Sequence, residues 1–169
     1  ATHPRGWTIK PLGELSLHVT SGSRGWARYT GGGCAHFLRT QDIVEGEIAA
    51  SLLALDPPGG AEAERTRLQD GDVAVTITGI VGKAATFRAR ERDVYVSQHV
   101  ALVRPDPRQL NPDFLTSYAN LPLGEVPVLA RFQYGQTKPG LGFRELMNSR
   151  IPVPPIDMQT EFSARLKGV

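Results

Sequence analysis

The chain has 169 residues and a formal net charge of +2, and 40% of its residues are hydrophobic and 21% are charged. This length and composition are typical of one globular domain with its own core. No apolar run reaches 18 residues and no signal-peptide pattern opens the chain, so we expect no membrane span and a cytoplasmic protein. The single cysteine, Cys34, excludes an internal disulfide and a cysteine zinc cluster. Because the chain starts with Ala1, we expect a fragment or a processed product.

Basic and acidic side chains are unevenly distributed along the chain. Residues 1–40 hold five Lys or Arg and one acid, residues 41–70 hold seven acids and two bases, and residues 71–110 hold six bases and four acids. Basic segments that shared one face would attract nucleic acid, although an ordinary solvated surface has the same composition.

The first forty residues predict a short helix followed by a polar loop. Leu12, Leu15 and Val19 recur at helical spacing, which predicts a helix over residues 9–19. Residues 20–33 then alternate arginine with aromatic residues on a glycine-rich backbone, a composition that suits contact with nucleic acid through Arg24 and Arg28. Trp26 is expected to lie in the core.

The next segments predict short elements. Residues 36–46 read as a strand and a turn, and residues 56–70 as a loop leading to a short solvated helix. His36 and Asp42 have no third partner at a spacing that suits catalysis, so we assign them no catalytic role.

Residues 71–105 are expected to form the centre of the fold. Val73, Val75 and Ile77 alternate with smaller residues, which predicts a half-buried strand, a hairpin and then a further strand. The turn Gly79-Ile80-Val81-Gly82 precedes Lys83 and resembles a phosphate-binding loop, but alanine follows the lysine where such a loop has Ser or Thr. We therefore predict a glycine turn whose lysine can lie near a phosphate.

The last third of the chain predicts helices and a second polar loop. Asn111 and Pro112 are a typical helix start, giving a helix over residues 111–121, and further helical pieces are expected at 124–133 and 142–148. Residues 131–142 contain hydrogen-bond donors suited to DNA, and a last helix is expected from residue 156.

Short motifs occur in a characteristic order along nearly the whole chain. They are LGEL (12–15), SGSRGWARY (21–29), FLRTQDI (37–43), GDVAVTITGIVGKAA (71–85), YVSQHVALVRP (95–105), NPDFL (111–115), GQTKPGL (135–141) and IPVPPIDMQTEF (151–162). In this order they resemble one target recognition domain of the specificity subunit of type I restriction-modification systems.

The resemblance implies a double-stranded DNA recognition module that is not an enzyme by itself. It implies residues 1–154 as the recognition domain and residues 155–169 as the start of a conserved spacer helix that docks a methyltransferase subunit. It also implies a second recognition domain and a restriction subunit as partners, with S-adenosylmethionine, ATP and Mg²⁺ bound by the partner subunits and no cofactor in this chain. The candidate DNA-binding residues carried over from the family's loops are Ser21, Ser23, Arg24, Arg28, Tyr29, Thr78, Lys83, Gln133, Tyr134, Gln136, Thr137 and Lys138.

The predicted fold class is α+β, with a highly twisted, mostly antiparallel sheet, short flanking helices and the root of a long C-terminal helix that protrudes. Two alternatives stay open. One is a recognition domain fused to a single-chain type II methyltransferase-restriction enzyme. The other is a small hydrolase or transferase with a pocket joining Asp72, Gln98 and His99, although His99 on a strand suits a core or rim position better.

Overall fold

The computed structural model describes residues 6–123, 126–133 and 140–167. The strands within these residues are β1 (Thr8–Pro11), β2 (Ser16–Ser21), β3 (Thr30–Leu38), β4 (Ile43–Val44), β5 (Glu47–Ile48), β6 (Leu53–Leu55), β7 (Val73–Thr76), β8 (Ala84–Thr86), β9 (Val94–Val96), β10 (Val100–Pro105), β11 (Pro122–Leu123), β12 (Val126–Pro127) and β13 (Arg150–Val153). The helices are α1 (Ala61–Thr66), α2 (Pro112–Asn120), α3 (Phe143–Asn148) and α4 (Ile156–Lys167). None of the helices in the described ranges is long and apolar enough to cross a membrane.

The central sheet has four antiparallel strands in the order β2-β10-β7-β8. Three of them come from the stretch 71–105, as predicted. A second sheet has the order β6-β3-β9, in which β3 runs parallel to β9 and antiparallel to β6. Short antiparallel pairs join β1 to β13, β4 to β5 and β11 to β12. The α+β fold with mostly antiparallel strands and short helices agrees with the sequence-based expectation.

Strand β7 is buried on both faces, although its alternation predicted one solvated face. Val73 and Val75 belong to a core cluster shared with α2, whereas Ala74 belongs to a second cluster with Leu102. The small side chain of Ala74 lets other elements pack closely on the second face of the strand. A small residue between two valines therefore does not indicate a solvent-exposed face here.

The prediction of a helix over residues 9–19 is wrong. This segment contains the end of β1, a single 3-10 turn at Leu12–Leu15 and strand β2. Leu12 and Leu15 are fully buried at a spacing of three, which one 3-10 turn satisfies. The residues that follow pair with β10, and these sheet hydrogen bonds outweigh the local helical periodicity.

The glycine run that was predicted as part of a loop belongs instead to β3. Thr30 and Ala35 both lie opposite Leu55, so the glycines between them form an irregular bulge. A side chain on Gly33 would place its Cβ 2.2 Å from the Leu55 carbonyl oxygen, and only glycine allows this approach.

Helix α2 confirms the prediction from Asn111 and Pro112. The Asn111 side-chain oxygen accepts hydrogen bonds from the amides of Asp113 and Phe114, at 2.9 and 3.1 Å. At its other end, Asn120 pairs with the backbone of Ala84 through both side-chain groups, at 3.0 and 2.8 Å. The helix therefore covers the edge strand β8.

Two further helix predictions have different outcomes. The piece expected at 142–148 is α3, whereas the segment expected as a helix over 124–133 contains β12 and a 3-10 turn at Val128–Phe132 within its described part. Pro127 precedes the turn, and its fixed φ and missing N–H suit the start of a short turn better than the interior of a helix.

The C-terminal helix begins at Ile156 as predicted, and one face of its first two turns packs on the domain. The Gln159 side chain is fully buried against the start of α2, and the Phe162 ring lies edge-on to Phe114 with centroids 5.6 Å apart. The face of α4 that contains Gln159 and Ser163 is therefore packed against the domain, whereas Met158 on the same turns stays exposed.

Candidate nucleic-acid interface

The strand register brings three separate connections to the same end of the central sheet. Ser21 at the end of β2 lies opposite Ala101, Val100 lies opposite Thr76, and Val75 lies opposite Ala84. The loop after β2, the loop between β7 and β8 and the turn before β10 therefore emerge together. We call this surface the loop end, formed by residues 22–29, 77–83 and 97–99.

The first of these loops presents two arginines to solvent. Arg24 and Arg28 are exposed, and the guanidinium carbon of Arg28 lies 4.8 Å from the centroid of the Tyr29 ring. The same arginine donates a hydrogen bond to the Tyr29 hydroxyl at 3.0 Å. Trp26 points inward, 3% exposed, with its ring 5.8 Å from that of Tyr95, which confirms its predicted place in the core.

The two serines at the start of this loop are bonded to α1, Ser21 through its carbonyl oxygen and Ser23 through its side chain. Arg65 of α1 donates to the Ser21 carbonyl oxygen at 2.9 Å and to the Ser23 hydroxyl at 3.2 Å. The Ser23 hydroxyl donates to the Glu62 carboxylate. This hydrogen bond, more than the neighbouring Arg65, lowers the pKa of Glu62, although partial burial of the carboxylate acts against it. Ser23 is 8% exposed and ties the loop to α1.

The loop between β7 and β8 is held at its base and open at its tip. The backbone amide of Lys83 donates to the buried Thr76 hydroxyl at 3.0 Å, and that of Gly82 donates to the Thr76 carbonyl oxygen at 2.8 Å. Val81 is buried, whereas Ile80 is 59% exposed at the tip. Strand β8 follows the loop, which agrees with the rejection of a phosphate-binding loop that opens a helix.

The last residues of the second polar loop, from Gly140, lie beside the same end of the sheet. Thr78 forms an isolated antiparallel bridge with Gly140, and the Leu141 amide donates to the Ile77 carbonyl oxygen at 2.8 Å. Gln133, near the start of this loop, is exposed, and its backbone amide donates to the Ala130 carbonyl oxygen at 3.0 Å. The other candidates in the loop lie outside the described residues, and they are Tyr134, Gln136, Thr137 and Lys138.

The structure separates the residues of the alternative catalytic pocket. His99 lies next to Ile77 at the loop end, whereas Asp72 is at the opposite end of β7, where Arg104 binds both its oxygens at 2.8 Å. About five strand residues separate Asp72 from His99, or roughly 17 Å. Because both carboxylate oxygens of Asp72 are bonded to Arg104, Asp72 does not serve as an acid partner for His99.

Within the described ranges, no three His, Cys, Asp or Glu side chains converge in a way that could hold a metal ion. The loop end instead offers cationic groups, hydroxyls and amides. Such groups can bind phosphate oxygens and base edges. In the sequence, Gln98 and His99 belong to the motif YVSQHVALVRP and have a chemical role only in the alternative pocket, because the register that places them among the loops is not visible there.

The chain is similar in sequence and in fold to subunits of type I restriction systems. No protein-family model matches the chain. The chain is 24% identical over 131 residues to the type I restriction enzyme EcoBI specificity subunit of Escherichia coli, an alignment that covers 77% of this chain and 27% of that subunit. The chain thus spans about a quarter of the length of this curated relative.

Solved structures show the same fold. A chain from a structure on complex assembly and conformational transition of the type I R-M system superposes with a TM-score of 0.75 at 20% identity, covering 99% of this chain and 39% of that one. The HsdS subunit from Thermoanaerobacter tengcongensis gives 0.69 at 20% identity, covering 99% and 38%. The type I restriction-modification S subunit from M. genitalium gives 0.62 at 14% identity, covering 95% and 38%. These matches confirm the predicted α+β fold.

Proposed function

We propose that the chain is a sequence-specific, double-stranded DNA recognition module, because it resembles parts of type I specificity subunits in sequence and in fold. It acts without catalysis of its own and directs methylation and cleavage by partner subunits. The loop end is its DNA-contacting surface.

The observation that carries this proposal is the convergence of three distant segments at one end of the central sheet. The strand register places three segments side by side. They are the loop with Arg24 and Arg28, the loop with Lys83 and, between them, the turn at Gln98. Arginine and lysine bind phosphates, and arginine can also form a bidentate hydrogen bond with guanine. The rigid sheet beneath these side chains fixes their spacing.

Helix α4 supports the proposed assembly with further subunits. Met158, Phe162 and Leu166 recur every fourth residue, and each remains at least 37% exposed. A helical stripe of this kind suits packing against another helix, which agrees with residues 155–169 as the start of a spacer helix that docks a methyltransferase subunit.

The remaining components belong to the assembly rather than to this chain. We propose a second recognition domain and a restriction subunit as further partners in the cytoplasm. S-adenosylmethionine, ATP and Mg²⁺ would be bound by the partner subunits. The relatives named above are specificity subunits, which favours this assignment over a fused single-chain type II enzyme.

The test is a fluorescence titration of the 169-residue chain with random-sequence duplex DNA at low and moderate salt, followed by selection of the bound sequences. We expect binding that weakens with salt, because phosphate contacts release counterions, and an enriched motif of about 3–5 base pairs, which is what one reading module contacts.

Variants of the loop end test which of its residues contact DNA. Arg24→Ala and Lys83→Ala should each weaken binding and make the slope of log K against log salt shallower by about one phosphate contact. Arg92→Ala is the matched control, because Arg92 is an exposed arginine in the connection that leads into the other end of β9. Equal salt slopes for all three variants and the parent would contradict the proposed surface.

A further inference from the structure

The turn between β9 and β10 is unusually well fixed for a surface connection. Ser97 and Val100 close it with a backbone hydrogen bond of 3.0 Å, which places Gln98 and His99 at its two corners. Three other backbone hydrogen bonds tie the turn to its neighbours, and they join Ser97 N to Leu38 O (2.9 Å), Gly22 N to Ser97 O (3.2 Å) and Ile77 N to His99 O (3.0 Å).

These bonds place the two corner residues between the DNA-facing loops. Gly22 opens the loop that contains Arg24, and Ile77 opens the loop that leads to Lys83. A duplex that contacted both loops would therefore lie across the turn. Because the turn is held from three sides, its side chains are presented on a rigid base.

The side chains of the two corners are partly exposed and bonded to one another. The Gln98 Nε2 lies 3.2 Å from the His99 Nε2. An amide nitrogen can only donate, so the ring nitrogen accepts one of its two hydrogens. The amide keeps its oxygen and its second N–H, which together form an acceptor-donor fork.

We propose that Gln98 reads an adenine in the major groove, with His99 as the positioning residue that orients its amide. Adenine presents the N6 amino group as a donor beside N7 as an acceptor, and a glutamine fork matches this pair. The inference rests on the proposed function and deepens it, because it assigns one base and one side chain to the recognition surface.

The experiment compares the sequences selected by the parent chain, Gln98→Ala and Gln98→Glu. The parent should show adenine at one position of its motif. Gln98→Ala should lose that preference, with affinity for the parent's motif falling about 5-fold to 100-fold, as for one bidentate base contact. Gln98→Glu keeps the shape of the side chain but replaces the donor by a second acceptor, so adenine should be lost there as well.

Atom-specific substitutions in the DNA make the test sharper. Replacing the adenine by 7-deazaadenine removes the N7 acceptor, and replacing it by purine removes the N6 donor. Each should weaken binding by the parent and leave binding by Gln98→Ala unchanged. Gln69→Ala is the matched control, because Gln69 is an exposed glutamine on the turn before β7, at the other end of the same sheet.

Variants of His99 test whether this residue orients the Gln98 amide. His99→Ala should reduce discrimination at the same adenine while leaving the salt slope unchanged, and His99→Gln, whose side-chain oxygen accepts a hydrogen bond, should restore part of it. Thermal unfolding of each variant must match that of the parent before the affinities are compared.

The possible results separate this inference from the proposed function. Absence of salt-dependent DNA binding by the parent would overturn both. A parent with a motif that Gln98→Ala and Gln98→Glu both retain would overturn the adenine contact alone. A uniform loss of affinity across all duplexes would make Gln98 a phosphate contact and would equally overturn base reading.

Discussion

At the scale of single residues, the loop end depends on small buried groups as much as on exposed cations. Ser23 joins the first loop to Glu62, and Thr76 holds the base of the second through its hydroxyl. Gly22 lies directly on the backbone of Val96 and Ser97. These residues do not face solvent as Arg24 does, yet they set the direction in which the loops leave the sheet.

Gly22→Ala should destabilise the protein strongly. The added Cβ would lie 1.9 Å from the Val96 carbonyl oxygen and 2.4 Å from the Ser97 carbonyl carbon, so backbone must move. We expect a loss of about 1–3 kcal/mol in the free energy of unfolding, as for other overpacked sites, measured by urea denaturation. Gly32→Ala is the control, because nothing lies within 4 Å of its added Cβ. Equal stability of the two variants would refute the close approach.

At the scale of secondary-structure elements, two helices support the sheet from outside. Helix α1 anchors the first loop through Arg65, which binds Ser21 and Ser23. Helix α4 is anchored by Gln159, whose side chain donates to the carbonyl oxygens of Gln109 and Pro154 at 3.0 and 2.8 Å and accepts from the Asn111 amide at 2.9 Å. The helix expected to protrude is therefore bound at its root.

Gln159→Ala should lower the free energy of unfolding by about 3 kcal/mol, because it breaks three hydrogen bonds and leaves buried backbone groups without partners. Met158→Ala is the matched control on the same helix, since Met158 is 44% exposed, and it should change stability by less than about 0.5 kcal/mol. Chemical denaturation measures both. A Gln159 variant as stable as the Met158 variant would mean that α4 is not part of the domain core.

At the scale of the whole molecule, the two ends of the central sheet differ in composition. One end gathers the loops with Arg24, Lys83 and Gln98. The other contains the ion pair between Asp72, whose side chain is 1% exposed, and Arg104, whose side chain is 25% exposed. Asp72 also accepts a hydrogen bond from the Gln69 amide at 2.7 Å, so it stabilises the turn that leads into β7.

Asp72→Ala tests this separation of stability from recognition. It should cost about 3 kcal/mol of stability, because breaking a buried pair leaves Arg104 without its partner. At a temperature where the variant is folded, the selected DNA motif and the salt slope should equal those of the parent. A changed motif would show that the two ends of the sheet are coupled.

The sequence by itself determined those features that depend on neighbouring residues. The cap at Asn111, the hairpin that contains Gly79 and Gly82, the start of α4 at Ile156 and the burial of Trp26 all follow from local propensity, turn chemistry or hydrophobicity. The order of short motifs also pointed to the α+β fold and to the loops that hold Arg24 and Lys83.

Only the tertiary structure decided how these pieces combine. The pairing of β2 with β10 replaced a predicted helix, and the packing of a second layer on Ala74 buried a face that alternation predicted to be solvated. The pairing of β10 with β2 and β7 also placed Gln98 among the loops of the loop end and separated His99 from Asp72. Strand register and layer packing depend on contacts between residues far apart in the chain, and local periodicity contains no information about which distant partner is chosen.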